Sequence, residues 1–425
     1  MADALPVLWI YGPGGVGKTT AAWEYYRRLV AAGVRAGYVD IDQLGMCYGP
    51  PTAENWAPEP ASDPVRHRLK TLNLDAVAAH HRALGSRCLV VGGIVDPEHG
   101  VDADSLPNAD LTPCRLRAEP EELARRITAR GRDTDELADV LRDARQLDLR
   151  DFPGARVDTT GLSVDEVLAR IAQETGGWPW LAVDEPHDEQ LEGRSADDGP
   201  SAEADAASGA GSGAGSGVRS GAVSRASIQR SITYTDAPGE ILFVCGPTAV
   251  GKSVVAYFAY SGSRRLGQHT AFADLDQLGF QGPASAADPR NHRLKAANLA
   301  ALWRNFHARG ARRLVVNGPL DRPEDLRVYR DALPSARLTV ARLHASFGQL
   351  GVRIAERAAG AGAVRGLAGD GILGRTGEAL RAVLDRAAAE AAALDRAGVG
   401  DLRAATDGRT PGDIARELLR RAAWS

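Results

Sequence analysis

Short apolar runs alternate with longer amphipathic stretches along most of the chain. Apolar runs such as "VLWIY" at 7–11 and "ILFVC" at 241–245 are rich in β-branched and aromatic residues. Each is followed by a stretch with apolar residues at helical spacing, which usually ends near a glycine. Because the apolar runs are continuous rather than alternating, we expect an α/β fold in which helices cover both faces of a parallel sheet.

This pattern occurs twice in the chain. The segment "VDIDQLG" at 39–45 matches "ADLDQLG" at 273–279, and "DPVRHRLKTLNL" at 63–74 matches "DPRNHRLKAANL" at 288–299. Further matched segments follow in the same order in both halves. The repetition predicts two domains of one fold, residues 1–181 and 239–425, which we call the first and the second copy.

Between the two copies the composition changes. Residues 182–238 are first acidic and then rich in glycine, serine and alanine, with few large apolar residues. Such a segment buries too little apolar surface to offset the entropy of ordering it, so we expect a flexible linker. A binding role for its acidic half stays open as an alternative.

Composition and charge exclude several classes of protein. The net charge of -4 gives no polybasic footprint, so neither nucleic acid nor an acidic membrane is an expected partner. No apolar run reaches the roughly 18 residues that cross a bilayer, and the first residues lack the features of a signal peptide. The 4 cysteines have no C-x-x-C spacing, which argues against a zinc site or a disulfide framework. We therefore expect a cytoplasmic protein.

Two segments have the G-x-x-x-x-G-K-[ST] spacing of a phosphate-binding loop, or P-loop. They are "GPGGVGKT" at 12–19 and "GPTAVGKS" at 246–253, and each joins a predicted strand to a predicted helix, the context that this motif requires. Backbone N–H groups of such a loop surround phosphate oxygens, the lysine reaches the β- and γ-phosphates, and the hydroxyl residue holds Mg²⁺. The motif predicts ATP and Mg²⁺ at both loops, although a duplicated loop can also lose its ligand, above all in the second copy. The candidate nucleotide-binding residues are Gly12, Gly14, Gly15, Val16, Gly17, Lys18, Thr19, Thr20, Gly246, Thr248, Ala249, Val250, Gly251, Lys252, Ser253 and Val254, with Thr19 and Ser253 as the metal ligands.

A D-x-D-Q-L-G segment ends the next predicted strand in each copy. Its carboxylates are Asp40 and Asp42 in the first copy, and Asp274 and Asp276 in the second. Ligands of open α/β sheets bind at the carboxyl ends of the strands, close to where a γ-phosphate would lie. We interpret one carboxylate as orienting Mg²⁺ and the other as accepting a proton from an attacking hydroxyl. The alternative is that one caps the following turn while the other is solvated.

Two sets of arginines complete the candidate sites. Arg66 and Arg68, with Arg290 and Arg293 in the second copy, lie on the next predicted helix and suggest an anionic or hydrogen-bonding acceptor substrate. Lys70 and Lys295 recur on the same helices. A solvated helix face is an equally valid interpretation of each. A later helix carries a second set spaced four apart, which either closes over the phosphates or belongs to an ordinary amphipathic helix: Arg126, Arg130, Arg353 and Arg357.

With these blocks in order, each copy resembles the P-loop kinase superfamily. It is most similar to adenylylsulfate kinases, to chloramphenicol-phosphotransferase-like enzymes and to small actinobacterial ATP-binding proteins with a D-x-D-Q-L-G block. The resemblance implies that Asp40 or Asp42 faces the acceptor hydroxyl and that Arg126 and Arg130 belong to a mobile lid. It also implies that the turns at 159–161 and 406–408 lie against adenine. Adenylylsulfate kinases have D-G-D-N-[IV]-R where this chain has "DIDQLG", so adenylylsulfate is not an expected acceptor.

These patterns predict a tandem phosphotransferase that moves the γ-phosphoryl group of ATP to a small-molecule hydroxyl or phosphate. The first copy is the stronger candidate for catalysis. The alternative is an ATP-binding regulatory or scaffold protein in which the nucleotide controls how the two domains pair. Intramolecular pairing, a homo-oligomer, and a composite site with arginines donated across domains all stay open.

Overall fold

The computed structural model describes residues 4–51, 63–129, 134–150, 152–179, 234–320, 322–361 and 369–424. These residues form two six-stranded, mostly parallel sheets with helices packed on them, which confirms the predicted α/β fold class. Most of the predicted linker lies outside the described residues, and the domain boundaries at 181 and 239 stay a prediction. Within the described ranges, no helix has the length and apolarity needed to cross a membrane.

The first copy has the predicted alternation of strands and helices, with an additional short strand, Cys47–Tyr48, and an additional helix, Thr134–Asp148. A 3-10 turn, Ile41–Gly45, lies between its second and third strands. Its elements in chain order are β1 Leu5–Tyr11, α1 Lys18–Ala31, β2 Ala36–Asp40, β3 Cys47–Tyr48, α2 Pro64–Ala83, β4 Cys88–Gly93, β5 Ala109–Arg117, α3 Pro120–Ala129, α4 Thr134–Asp148, β6 Ala155–Asp158 and α5 Val164–Glu174.

The second copy repeats this order with two differences: a short helix, Leu275–Leu278, stands where the first copy has the 3-10 turn, and a further helix, Pro323–Ala332, follows the strand Arg313–Asn317. Its elements are β7 Gly239–Cys245, α6 Lys252–Arg265, β8 Thr270–Asp274, α7 Leu275–Leu278, β9 Phe280–Gly282, α8 His292–Ala308, β10 Arg313–Asn317, α9 Pro323–Ala332, β11 Ala336–His344, α10 Phe347–Ala358, α11 Gly377–Arg396, β12 Leu402–Ala405 and α12 Pro411–Arg421.

The two sheets have the same strand order. The first runs β6-β5-β1-β4-β2-β9 and the second runs β12-β11-β7-β10-β8-β3. In each sheet five strands are parallel, and the strand that leads into the P-loop (β1 or β7) lies between two neighbours. Helices on both faces bury these central strands, which explains why their sequences are continuously apolar. Both P-loops and both D-x-D segments consequently lie at the carboxyl edge of a sheet.

The last strand of each sheet comes from the other copy. The strand β9 pairs antiparallel with β2, with Phe280 opposite Tyr38, and β3 pairs antiparallel with β8, with Tyr48 opposite Thr270. Each exchanged strand begins directly after a D-x-D-Q-L-G segment. The sequence predicted two similar domains but not this exchange, by which each copy completes the sheet of the other.

Two helices, α2 and α8, pack against each other and make matching hydrogen bonds. Asn73 donates from Nδ2 to the Leu44 carbonyl at 2.6 Å, and Asn305 donates to Asn73 Oδ1 at 2.8 Å. In the second copy Asn298 donates to the Leu278 carbonyl at 2.6 Å and accepts from His80 Nδ1 at 2.8 Å. Both central asparagines are fully buried, so losing a partner would cost roughly 1–3 kcal/mol.

The exchanged strands are also held by side chains. The Phe280 ring packs against Trp23 and Tyr38 of the first copy, with ring centroids 4.8 and 5.7 Å apart. The guanidinium of Arg264 lies 5.3 Å from the centre of the Tyr48 ring, and its Nε donates to the Gly49 carbonyl at 2.8 Å. One hydrophobic cluster contains buried residues of both copies. The two copies therefore share a core rather than only a linker.

This exchange predicts that the copies stay together when the chain between them is cut. A protease site placed in the linker, within residues 190–225, leaves both sheets with all six strands. We expect the cleaved protein to elute as a 1:1 complex in size-exclusion chromatography at micromolar concentration. An Asn298→Leu variant, which loses the bonds to Leu278 and His80, should dissociate more readily after cleavage. If the two halves of the cleaved protein without the Asn298 substitution elute separately, the copies do not share a core.

Candidate functional site

Both P-loops have the backbone geometry that phosphate binding needs. Gly12 has φ of 150°, and a Cβ atom there would lie only 2.3 Å from the Leu116 carbonyl oxygen, so only glycine fits. The loops differ where Ala249 replaces Gly15, since Ala249 has the left-handed φ of 63°. That conformation costs a residue with a Cβ atom roughly 1–2 kcal/mol. The second loop has kept the curled conformation despite this strain.

The side-chain ammonium group of each P-loop lysine folds back onto the carbonyl groups of its own loop. The Lys18 ammonium donates to the Pro13 carbonyl at 2.7 Å, and Lys252 donates to the Gly246 and Pro247 carbonyls at 3.0 and 2.9 Å. Burial lowers the pKa of Lys252, while the nearby carboxylates of Asp276 and Glu390 oppose that effect. Both ammonium groups are thus placed where the phosphates of a nucleotide are expected.

An oxygen-rich cluster connects the second P-loop to its D-x-D segment. Ser253 Oγ donates to Asp274 Oδ2 at 3.1 Å, and Asn317 Nδ2 lies 3.1 Å from Ser253 Oγ and 2.8 Å from Asp274 Oδ2. Hydroxyl and carboxylate oxygens suit Mg²⁺, which takes few protein ligands and keeps phosphate and water oxygens. Within the described part of the chain, no cluster of three or more His, Cys, Asp or Glu is arranged to hold a metal ion. Asn317 was not predicted, and its place in the first copy is taken by Gly92.

In the first copy the two D-x-D carboxylates have opposite electrostatic environments. Burial and the neighbouring Asp42 raise the pKa of Asp40 to about 7. Burial also disfavours the charge of Asp42, but the ammonium of Lys70, 2.6 Å from Asp42 Oδ1, outweighs it and lowers the pKa of Asp42. One carboxylate of the pair can therefore carry a proton near neutral pH, while the other stays ionised.

The second copy reproduces this arrangement. Burial and the charge of Asp276 raise the pKa of Asp274. Burial opposes the charge of Asp276, but Lys295, whose Nζ lies 3.0 Å from Asp276 Oδ1, lowers its pKa. A carboxylate pair with one ionised member, held by a buried lysine from the next helix, is thus common to both copies.

Lys70 and Lys295 are the basic residues that reach the D-x-D segment, although the arginines beside them were the predicted substrate ligands. Both lysines are almost completely buried. Their recurrence at matched positions was visible in the sequence, but the phase of the helix, which decides which side chain points inward, was not. The four predicted arginines lie in different surroundings: Arg66 with its guanidinium 4.8 Å from the Tyr48 ring, Arg68 at a cavity wall, Arg290 paired with Glu390, and Arg293 exposed.

In each copy a predicted lid arginine links the P-loop to the turn after β6 or β12. Arg126 donates to the Val16 carbonyl at 3.2 Å and to the Thr159 carbonyl at 2.8 Å. Arg353 makes the matching bonds to Val250 and Thr406, both at 3.0 Å. These contacts lie on the side of the loop where adenine was predicted. A catalytic role for the two arginines stays a prediction. Of the remaining lid residues, Arg357 donates to Asp370 at 2.8 Å, and Arg130 lies outside the described residues.

The cavities differ between the copies. In the second copy a cavity of about 630 Å³ is lined by residues of every predicted group, and also by Tyr26 of the first copy. In the first copy a cavity of about 430 Å³ is lined by Gly15, Arg126 and Thr159, on the nucleotide side. A second one, of about 670 Å³, is lined by Arg68 and Lys70 of α2 and by residues of the segment that follows β4.

A carboxylate lies in the second phosphate-binding loop. Glu390, on α11, accepts the backbone N–H of Thr248 at Oε2 over 2.7 Å, and its Oε1 accepts from Arg290 at 2.7 Å. Both interactions lower the pKa of Glu390 against the opposing effect of burial. A negatively charged oxygen therefore accepts the hydrogen bond of a backbone N–H group that would otherwise be available to a phosphate. The sequence did not indicate Glu390, because it lies on a distant helix outside every motif.

Comparisons with known proteins give structural similarities only. No family model and no curated protein matches the chain. Among solved structures, a gluconokinase from Sinorhizobium meliloti 1021 is 18% identical and covers 41% of this chain and 94% of its own, at a TM-score of 0.27. The tunicamycin resistance protein of Deinococcus radiodurans is 19% identical, with 40% and 96% covered, at 0.28. A sugar kinase from Janibacter sp. HTCC2649 is 16% identical, with 42% and 97% covered, at 0.30. Likeness at this level carries no conclusion about activity.

The position of Glu390 predicts a competition that a mutation should relieve. In a Lys18→Ala background, which reports on the second loop, Glu390→Gln should tighten ADP binding about tenfold, because the carboxylate no longer repels phosphate. Isothermal titration calorimetry measures the change. Glu378→Gln removes the same charge at an exposed position of the same helix and should have no effect. Unchanged affinity in Glu390→Gln would show that the carboxylate does not compete.

The contrasting carboxylates predict opposite effects on stability in the presence of EDTA. Asp40 has a raised pKa, so the folded state keeps a proton that the unfolded state loses, and stability falls as pH rises from about 4 to 7. Asp40→Asn should therefore raise the melting temperature, increasingly up to pH 7. Asp42→Asn should lower it by a nearly constant amount from pH 8 down to about pH 4, because the buried Lys70 then lacks its partner. The loss should shrink only below pH 3.8, the ordinary pKa of an aspartate, where the wild-type carboxyl becomes protonated. Thermal melts from about pH 2.5 to pH 8 test both signs.

Proposed function

We propose that the protein is an ATP-dependent phosphotransferase that moves the γ-phosphoryl group to a hydroxyl or phosphate of a small molecule. The observation that carries this proposal is the paired carboxylates beside each P-loop, one of which a buried lysine keeps ionised. A protein that only binds nucleotide needs the loop but not this pair. A cytoplasmic location, where ATP and Mg²⁺ are plentiful, is part of the proposal.

The first aspartate of each pair belongs to the metal side of the site. Asp274 accepts from the P-loop hydroxyl of Ser253, and Asp40 and Thr19 are the equivalents in the first copy. These residues would hold Mg²⁺, directly or through water. When bound, Mg²⁺ neutralises charge that develops on the β- and γ-phosphate oxygens. Lys18 and Lys252 add positive charge at the same phosphates.

The second aspartate of each pair is placed to orient the acceptor. Asp42 and Asp276 stay ionised beside their lysines, so each can accept a hydrogen bond from an acceptor hydroxyl. During transfer the acceptor oxygen bonds to the γ-phosphorus while the bond to the β-γ bridging oxygen breaks. ADP leaves, and the hydroxyl proton passes to the aspartate and then to water. The lysine fixes the carboxylate in this position throughout.

The alternative class, a scaffold in which nucleotide controls whether the domains pair, has less support. Each copy supplies a sheet strand to the other, and the copies share a hydrophobic cluster. Separating them would break both strand pairs and expose that core. Regulation that leaves the pairing intact stays possible for this class, and slow turnover that no acceptor stimulates would favour it.

The test is ADP release with and without a pool of small metabolites taken from a cell extract. Acceptor-stimulated release should fall by about 10²–10⁴-fold when both Asp42→Asn and Asp276→Asn are introduced, since these remove the proton acceptor of both copies. ATP affinity should change little. A chain with Asp110→Asn, an exposed aspartate on a sheet strand, serves as the control and should behave as wild type. Turnover that is insensitive both to the pool and to the double substitution would refute the phosphotransferase.

A further inference from the structure

The two copies share the lysine that contacts the D-x-D segment but differ in the segment that follows β4 or β10. In the first copy the cavity of about 670 Å³ lies between the start of α2 and the segment that follows β4, and Trp9, Ile41 and Lys70 line it. In the second copy the segment after β10 forms the additional helix α9. Its Tyr329 is completely buried and belongs to the core shared by the two copies.

Tyr329 contacts the second-copy equivalents of two residues that line the first-copy cavity. Its hydroxyl lies 2.9 Å from Nδ1 of His292, which matches His67. Its ring packs edge-on against Phe243, with centroids 5.3 Å apart, and Phe243 matches Trp9. The second copy therefore fills, with a side chain of its own, the space that is open in the first.

Trp9 adds a second observation. Its side chain is only 3% exposed, and its indole Nε1–H has no hydrogen-bond partner among the described residues. A buried donor without a partner is costly, and an acceptor atom of a bound molecule would satisfy it. Phe243, at the same place in the filled copy, has no such donor. The unsatisfied donor therefore occurs in the copy in which this particular space is open, and Phe243 stands in its place in the copy in which Tyr329 occupies that space.

The cavity lining indicates the chemistry of that ligand. The guanidinium of Arg68 supplies a cationic group at the wall formed by α2, next to Lys70, whose ammonium is paired with Asp42, and this guanidinium suits an anionic group. Asp96, Asp102 and Asp104 supply carboxylates at the other end, which accept hydrogen bonds from hydroxyls. The volume of about 670 Å³ is ample for a small metabolite. A polyhydroxylated molecule with an anionic group satisfies both ends.

We propose that the two copies divide the reaction: the first holds the acceptor, a polyhydroxylated small molecule with an anionic group, in this cavity, and the second binds nucleotide and has the equivalent of this cavity filled by Tyr329. This inference rests on the proposed phosphotransferase function. It assigns the transfer step to Lys18 and Asp42 and leaves the second copy as a nucleotide-binding unit. Phosphoryl transfer then yields one phosphorylated acceptor and one ADP per cycle, from the first copy alone.

The deciding experiment compares wild type with Lys18→Ala, using ADP release and ATP-binding stoichiometry on the full chain. The probes are glucuronate and glucose 6-phosphate, with mannitol as an uncharged comparison. We expect stimulation by an anionic probe in wild type, and its complete loss in Lys18→Ala, which still binds one ATP per chain. If about half of the stimulation remains, the second copy also transfers and the division is wrong, although the kinase stands. If the metabolite pool stimulates but the probes do not, the ligand class is wrong. If nothing stimulates wild type, the phosphotransferase itself fails.

Two further variants test the cavity. Val101→Trp places a large side chain in the cavity wall and should abolish the stimulation while ATP binding is kept. The same kind of change at Leu149, which is 84% exposed, is the control and should leave the stimulation intact. Stimulation that survives Val101→Trp would place the acceptor elsewhere.

Trp9→Phe installs the residue of the second copy and removes only the indole donor. If that donor binds the acceptor, the KM for the stimulating probe should rise three- to tenfold while kcat stays within about twofold. A kcat that falls with no change in KM would overturn a binding role for Trp9. Melting curves of each variant establish that the fold is kept.

Discussion

The reciprocal pairing of β9 with β2 and of β3 with β8 is the constraint on which the other features depend. Each exchanged strand starts directly after a D-x-D-Q-L-G segment, so both ends of that segment are fixed, one in the sheet of its own copy and one in the sheet of the other. Asn73 and Asn298 add a hydrogen bond to the carbonyl at Leu44 or Leu278 within the same segment. The carboxylates are thereby held rigidly beside the P-loop, as electrostatic preorganisation of a site requires.

Within this shared frame the two sites keep the same charges but differ in what surrounds them. Both copies have the aspartate pair with its buried lysine. Both also have the arginine that joins the P-loop to the turn after β6 or β12. The differences lie outside the exchanged strands themselves: Asn317 at the end of β10 in place of Gly92, Glu390 from α11, and Tyr329 from α9. Each of these residues changes what surrounds the site while the strand exchange is the same in both copies.

The sequence predicted the parts of the fold that depend on local pattern. The positions of the P-loops and D-x-D segments at the sheet edge could be predicted, because each motif is contiguous in the chain with a strand or helix that the local pattern indicates. The exchange could not be predicted, since β3 and β9 are only 2 and 3 residues long and their partners are distant in sequence. The sequence showed both Arg68 and Lys70 but not which of them contacts the D-x-D segment, because periodicity does not fix which residue of a helix faces the site. Glu390 and Tyr329 act through contacts between distant elements, which no local pattern carries.

The exchange also bears on what the first copy would lose without the second. Deleting the second copy would remove β9, expose the edge of β2, and leave Asn73 without Asn305. An unpaired sheet edge invites aggregation, and the apolar surface of α2 that packs on α8 would be exposed to water. The second copy is therefore needed for the stability of the first, whatever chemistry it retains. Its D-x-D segment leads into the exchanged strand, so the geometry that holds β9 in place also fixes the conformation of that segment.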